Sequence, residues 1–253
     1  MSTYKTINDH RGDIVTAYSN GRRSDFLIQS ALMQHPVLGD PVKALHSAID
    51  NGFAELADKR AELSEQGFTK AASDLVRTKI ALPYRAMCSA VAVAEAAHVD
   101  FYRKVVSFDE PSNGVELRSY LRTLPVAEVF KVVRRNPAML NALVAGGAEL
   151  SGLADEYFSQ FERELHVQNV AAIFLQQRSS EYTIAPSLAD PVGGAIDADA
   201  VNADASEFIK TMDRQRELLD SVRPLLTRMV AAVAIMAAIT PEAALGALSG
   251  QEG

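Results

Sequence analysis

The chain has 253 residues, with 25 Lys and Arg against 32 Asp and Glu. The resulting net charge of −7 argues against a polyanion-binding surface, and so against nucleic acid as the main partner. A single cysteine rules out an internal disulfide, and a hydrophobic share of 48% without tryptophan favours helix over sheet, in one large domain or two small ones.

Residues 1–11 are polar and hold no apolar segment, so synthesis in the reducing cytoplasm without a secretory leader is expected. Cys88 lies in an apolar helical run and reads as a small buried thiol. No stretch reaches the roughly 18–20 apolar residues of a membrane span. The nearest, 229–239, is bounded by Arg228. The doublets Arg22-Arg23 and Arg134-Arg135 read as solvated surface.

Residues 1–24 show no helical period and read as an extended arm, with a short strand at 14–18 and a turn at Asn20-Gly21. A short helix is expected over 25–34, stopping before Pro36. Asp40-Pro41 then reads as a helix cap followed by a first-turn proline. The stripe Val42, Leu45, Ile49, Phe53, Leu56, Leu63 keeps one apolar face until Gly67. Thr69 is placed to cap a second helix. Its stripe runs Ala72, Val76, Ile80, Pro83, Met87, Val91, Ala94, His98, Phe101, Val105. A long antiparallel hairpin, 40–66 against 69–107, is therefore expected, with a bend at Pro83. Between Ala86 and Val99 the second helix is apolar on nearly all sides, so its own chain or another should cover it.

An acidic loop at 107–114 precedes further short helices. Asn136-Pro137 repeats the cap-and-proline pattern before a helix reaching Leu175, which Gly146-Gly147 and Gly152 should either break or open to the close approach of a neighbouring backbone. Residues 179–203 read as an acidic linker. Asp204 with Glu207 fits a capping box. The cleanest heptad follows: Phe208, Met212, Gln215, Leu219, Val222, Leu226, Met229, Val233, Met236. Pro224 should kink or divide it. Thr240-Pro241 starts a last helix, and 249–253 is a polar tail.

Few constellations suggest chemistry. Glu95 and His98 have the Glu-x-x-His spacing of carboxylate-bridged metal bundles, but Glu162 and His166 are one residue too far apart to complete it. Asp197, Asp199 and Asp204 lack the glycine and glutamate of a calcium loop.

The expected fold is all-α. It consists of an extended arm (1–24), a helical domain with a long hairpin (25–178), a linker (179–203) and a C-terminal helical segment (204–253), packed as an irregular bundle. The expected role is a non-enzymatic structural or assembly protein acting as a homo-oligomer or beside other subunits, without cofactor or metal. A component of a virus head, neck or tail fits these features. The expected interface is the seam Phe208, Met212, Leu219, Val222, Leu226, Met229, Val233 and Met236. Two other readings stand: a metal-binding or enzymatic bundle using Glu95 and His98, and a membrane-active or chaperone-like helical protein.

Overall fold

The computed structural model describes residues 3–187 and 191–250. It is mostly helical, but the N-terminus corrects the all-α expectation. Three strands, β1 (Thr3–Asp9), β2 (Gly12–Ser19) and β3 (Arg22–Gln29), form an antiparallel sheet in the order β1-β2-β3. The segment read as an extended arm is thus a meander, and the first half of the helix expected over 25–34 is strand. Only Ser30–Met33 is helical there (α1).

Physical causes lie in the local sequence. β-Branched and aromatic residues alternate with polar ones, and two-residue links join the strands. Asn20 (φ 50°) and Gly21 (φ 76°) both take the left-handed conformation that a tight hairpin needs. In the other link, the Asp9 carboxylate accepts from the His10 amide at 2.6 Å and from Arg11 Nε at 3.1 Å. Pairing sets Val15 opposite both Thr6 and Phe26. That register puts Val15, Ala17, Phe26 and Ile28 on one buried face. Thr16, Arg23 and Asp25 lie on the other, where the Asp25 carboxylate accepts from the Thr16 hydroxyl and from Arg23, both at 2.7 Å.

Helix α2 spans Gly39–Asp58, and its stripe Val42, Leu45, Ile49, Phe53, Leu56 is buried as the periodicity predicts. Asp40 does not cap it. The helix begins one residue earlier, and Asp40 sits in the first turn, where a carboxylate still favours the helix dipole. Nor does Gly67 end it: a 3₁₀ turn at Arg60–Glu62 follows, and Ser64 caps α3 (Glu65–Leu75) by accepting from the Gly67 amide at 3.1 Å. Thr69, expected as that cap, is inside α3 and donates its hydroxyl to the Glu65 carbonyl.

Helicity then continues through a π-turn, Val76–Ile80, into α4 (Ala81–Val106). The Ala81 amide bonds back to Val76 O, five residues earlier. Pro83 lies in the first turn of α4, and the helical stretch Glu65–Val106 runs on past it.

The remaining helices are α5 (Gly114–Leu121), α6 (Val126–Arg135), α7 (Pro137–Ser151), α8 (Asp155–Arg178), α9 (Ala198–Ala237) and α10 (Pro241–Ser249). Asn136 caps α7 by accepting from the Ala138 and Met139 amides, as its sequence predicts. Gly147 (φ 70°, ψ 175°) breaks the helical run inside α7, and Gly152 closes it in the left-handed conformation. Of the two outcomes weighed for the glycines, the break occurs; what comes close to Gly146 is the Arg118 side chain rather than a backbone, since a Cβ there would lie 2.5 Å from Arg118 Cδ.

The acidic linker is shorter than expected. A 3₁₀ turn covers Ser179–Tyr182, and an isolated bridge, Thr183 with Ile196, closes the loop between them. Residues 188–190 of that linker, and 251–253 of the polar tail, lie outside the described residues. Asp204 is not the cap of α9. Asp197 takes that part, accepting from the Ala200 amide at 3.0 Å, while Asp204 accepts from the Tyr182 hydroxyl at 2.9 Å. The first turns form earlier than expected because Val201 and Ala205 are buried in the core that contains Tyr182 and Val170. Helix α9 continues through Pro224 rather than dividing. Thr240 caps α10 by accepting from the Ala243 amide.

The chain divides into two compact units, residues 1–97 with 215–253, and 98–214. In the first, the sheet's inner face, α2, α3, the inner side of α4 and the second half of α9 share one core, with Met87, Val222, Met229 and Val233 fully covered. Each such side chain contributes roughly 1.5–3 kcal/mol. The second unit holds two clusters. One gathers Val105, Val170, Val201 and Ile209, with the ring of Phe208 at 5.3 Å from Phe101 and 5.5 Å from Phe174. The other centres on Phe161, stacked on Phe130 at 4.2 Å.

Candidate functional site

Helix α4 has two faces of different character. Tyr84, Met87, Val91 and Ala94 point into the core at helical spacing. Burial, with Cys88 beside it, pushes the Tyr84 hydroxyl up to about 12. Cys88 itself is half-buried at the margin of that core.

On the outward side stand Leu82, Ala86, Ser89, Val93, Ala96 and Ala97, all exposed. Leu82 to Ala96 follow an alternating spacing of four and three, with Ala97 next to Ala96, and make a second stripe along one side of the helix that no other described element of the unit covers. Leu82 is 68% exposed and Val93 60%. Within the continuous helical stretch Glu65–Val106, an 18-residue window is long and apolar enough to cross a membrane by length and composition, yet only 28% of it is buried. The sequence signal for this surface is the all-round apolar run near Cys88. Burial alone separates its inner face from its outer one.

The expected seam on α9 is covered by the chain itself. Phe208 is half-buried and Met212 buried in the second unit. Leu219, Val222, Leu226, Met229, Val233 and Met236 are buried in the core of the first. One heptad therefore serves two cores in turn.

Glu95 and His98 make separate contacts. Glu95 pairs with Arg223 through both carboxylate oxygens, and these hydrogen bonds hold its carboxyl below the usual range. The His98 ring stacks on Tyr102, with centroids 6.4 Å apart. Tyr102 also meets the edge of His166, whose pKa burial pushes down. Among the described residues, no group of three or more His, Cys, Asp or Glu side chains is arranged to hold a metal ion.

Comparison with protein-family models, with curated proteins and with solved structures finds no match to this chain.

Proposed function

We propose that the protein is a non-enzymatic structural subunit that works as a homo-oligomer, with the outward stripe of α4 forming part of the contact between copies. The observation that carries this reading is the low burial of the apolar window within the helical stretch Glu65–Val106. Soluble monomers rarely leave a continuous apolar face in water.

A second copy fits this face by shape. An isologous contact sets the patch against itself about a twofold axis. With the axis between Ser89 and Ala90, antiparallel helices bring Leu82 opposite Ala97 and Val93 opposite Ala86. Each larger side chain then meets a methyl group, and small residues let helices approach closely.

The same hydropathy favours a second reading, contact with a lipid bilayer. Two features weigh against it. Arg85 and Glu95 lie within the run, and a charge at a bilayer centre costs about 2.5–3.5 kcal/mol even on the most lenient scales. Lipid on all sides of α4 would also require Tyr84, Met87 and Val91 to leave their core.

Light scattering on the wild type and on a Leu82→Glu/Val93→Glu double variant tests the proposal. The expected result is a multiple of the single-chain mass for the wild type and one chain for the variant, with equal helicity by circular dichroism. A monomeric wild type at micromolar concentration refutes the proposal. A wild type that is monomeric in buffer but floats with anionic vesicles, while the variant does not, supports the bilayer instead.

A further inference from the structure

We propose that a cleft of the first unit, distinct from the α4 face, binds a small zwitterion with an apolar body, of the class of apolar α-amino acids. The cleft measures about 360 Å³. That lies within the usual range of small-molecule sites, about 300–1,000 Å³. Its floor is apolar: Phe53 and Leu56 from α2, Phe68 from α3 and Met236 from the end of α9. Each of these is nearly covered, so the cleft meets only their edges.

Two opposite charges stand at its rim, Arg60 and Glu65. They make no ion pair with each other, and among the described residues neither side chain has a hydrogen-bond or ion-pair partner. Arg60 is nevertheless held in place, its guanidinium carbon lying 4.3 Å from the centroid of the Phe68 ring. Stacking of this kind fixes the planar fork and leaves its N–H donors free for a carboxylate. Glu65, in the first turn of α3, offers the matching acceptor for an ammonium. A simple carboxylic acid would meet Glu65 as a like charge, and a simple amine would meet Arg60. A molecule carrying both charges beside an apolar body satisfies both residues and the floor. The Thr69 side chain adds a hydroxyl to the same wall.

The wall also includes Ala238, which takes φ 56° where a helix usually ends in glycine. The alanine keeps a methyl group against the cleft in spite of the strained backbone.

Isothermal titration calorimetry and thermal shift on the full chain test this assignment. The probes are L-phenylalanine, L-leucine, 3-phenylpropanoate and phenethylamine. The amino acids should bind, and each singly charged analogue should bind at least about tenfold more weakly. Arg60→Met and Glu65→Gln should each weaken phenylalanine binding by a similar factor. Ala57→Trp, a substitution at the exposed rim, should abolish binding by filling the cleft while the far-ultraviolet dichroism is unchanged. No saturable binding of any probe at millimolar concentration overturns the proposal. So does binding that the three variants leave unaltered, or equal affinity for the zwitterion and both analogues.

Discussion

Arg223 holds Glu95 in a two-pronged pair, with Nε donating to Oε1 at 3.0 Å and Nη2 to Oε2 at 2.8 Å. Both residues belong to the first unit, on α4 and α9.

The pair has a measurable signature. The hydrogen bonds from Arg223 lower the Glu95 pKa, so the stability they contribute is present above the carboxyl's unfolded value and is lost as pH falls through the lower folded one. Carboxyl NMR should find Glu95 titrating below an ordinary glutamate in the wild type and returning to the ordinary range in Arg223→Ala. Identical titration in the two proteins would contradict the pairing. Because Arg223 is largely exposed, the variant should remain folded at neutral pH.

Ala238 should be a site of easy stabilisation. It follows the last turn of α9, where the Ile239 amide donates to Ala234 O at 3.0 Å and the Ala238 amide to Ile235 O. This is the Schellman arrangement, which glycine favours because a Cβ is strained in the left-handed conformation. Ala238→Gly should raise stability by about 1 kcal/mol, or a few degrees in the melting temperature. A melting temperature that stays level or falls would show that the cap is not strained.

Acid should unfold the protein in two stages. Burial pushes His46 below its ordinary value of 6.5, despite the carboxylates of Asp50 and Asp13, and burial does the same to His35 and His166. A histidine that protonates less readily when folded favours the unfolded chain once pH drops below the unfolded value. Stability should thus begin to fall below about pH 6.5. A second loss should follow as Asp9, Asp25, Glu55, Glu95 and Glu207 protonate, since hydrogen bonds from basic neighbours hold all five low. Chemical denaturation across pH 8 to pH 3 checks the order, and His46→Gln should flatten the first stage. Stability that rises between pH 7 and pH 5 would refute this account.

Helices with regular stripes were legible from the residues. The stripes of α2, α4 and α9 are buried along most of their length, with Pro83, His98, Phe101 and Phe208 half-buried and Gln215 exposed, and the Asn136 and Thr240 caps are those the sequence advertises. Of the sheet, the strand at 14–18 and the turn at Asn20-Gly21 are legible, while β1 and β3 are not, because charge stands among their β-formers: Lys5 and Asp9 in β1, Arg22, Arg23 and Asp25 in β3. Only the pairing register shows how Thr16, Arg23 and Asp25 come together on the outer face. The caps of α3 and α9 were misplaced because Thr69 and Asp204 match a capping pattern as well as Ser64 and Asp197 do. Tertiary contact decided between them. The cleft at Arg60 could not be read from sequence at all, since residues from β2, α2, α3 and the end of α9 meet there only after folding.

The first unit is assembled from two segments that lie on either side of the second in sequence, and this sets an order of events during synthesis. Residues 98–214 form a contiguous unit and can close as soon as they emerge. Residues 1–97 emerge earlier but lack Val222, Met229 and Val233, which follow the whole of residues 98–214 in the chain. Until then Val42, Leu45, Ile49 and Met87 have no cover from α9. The nascent chain therefore passes through a long interval in which residues 1–97 expose apolar surface that α9 later covers. A ribosome that stalls after Arg214 would release a polypeptide with one finished core and one open to aggregation.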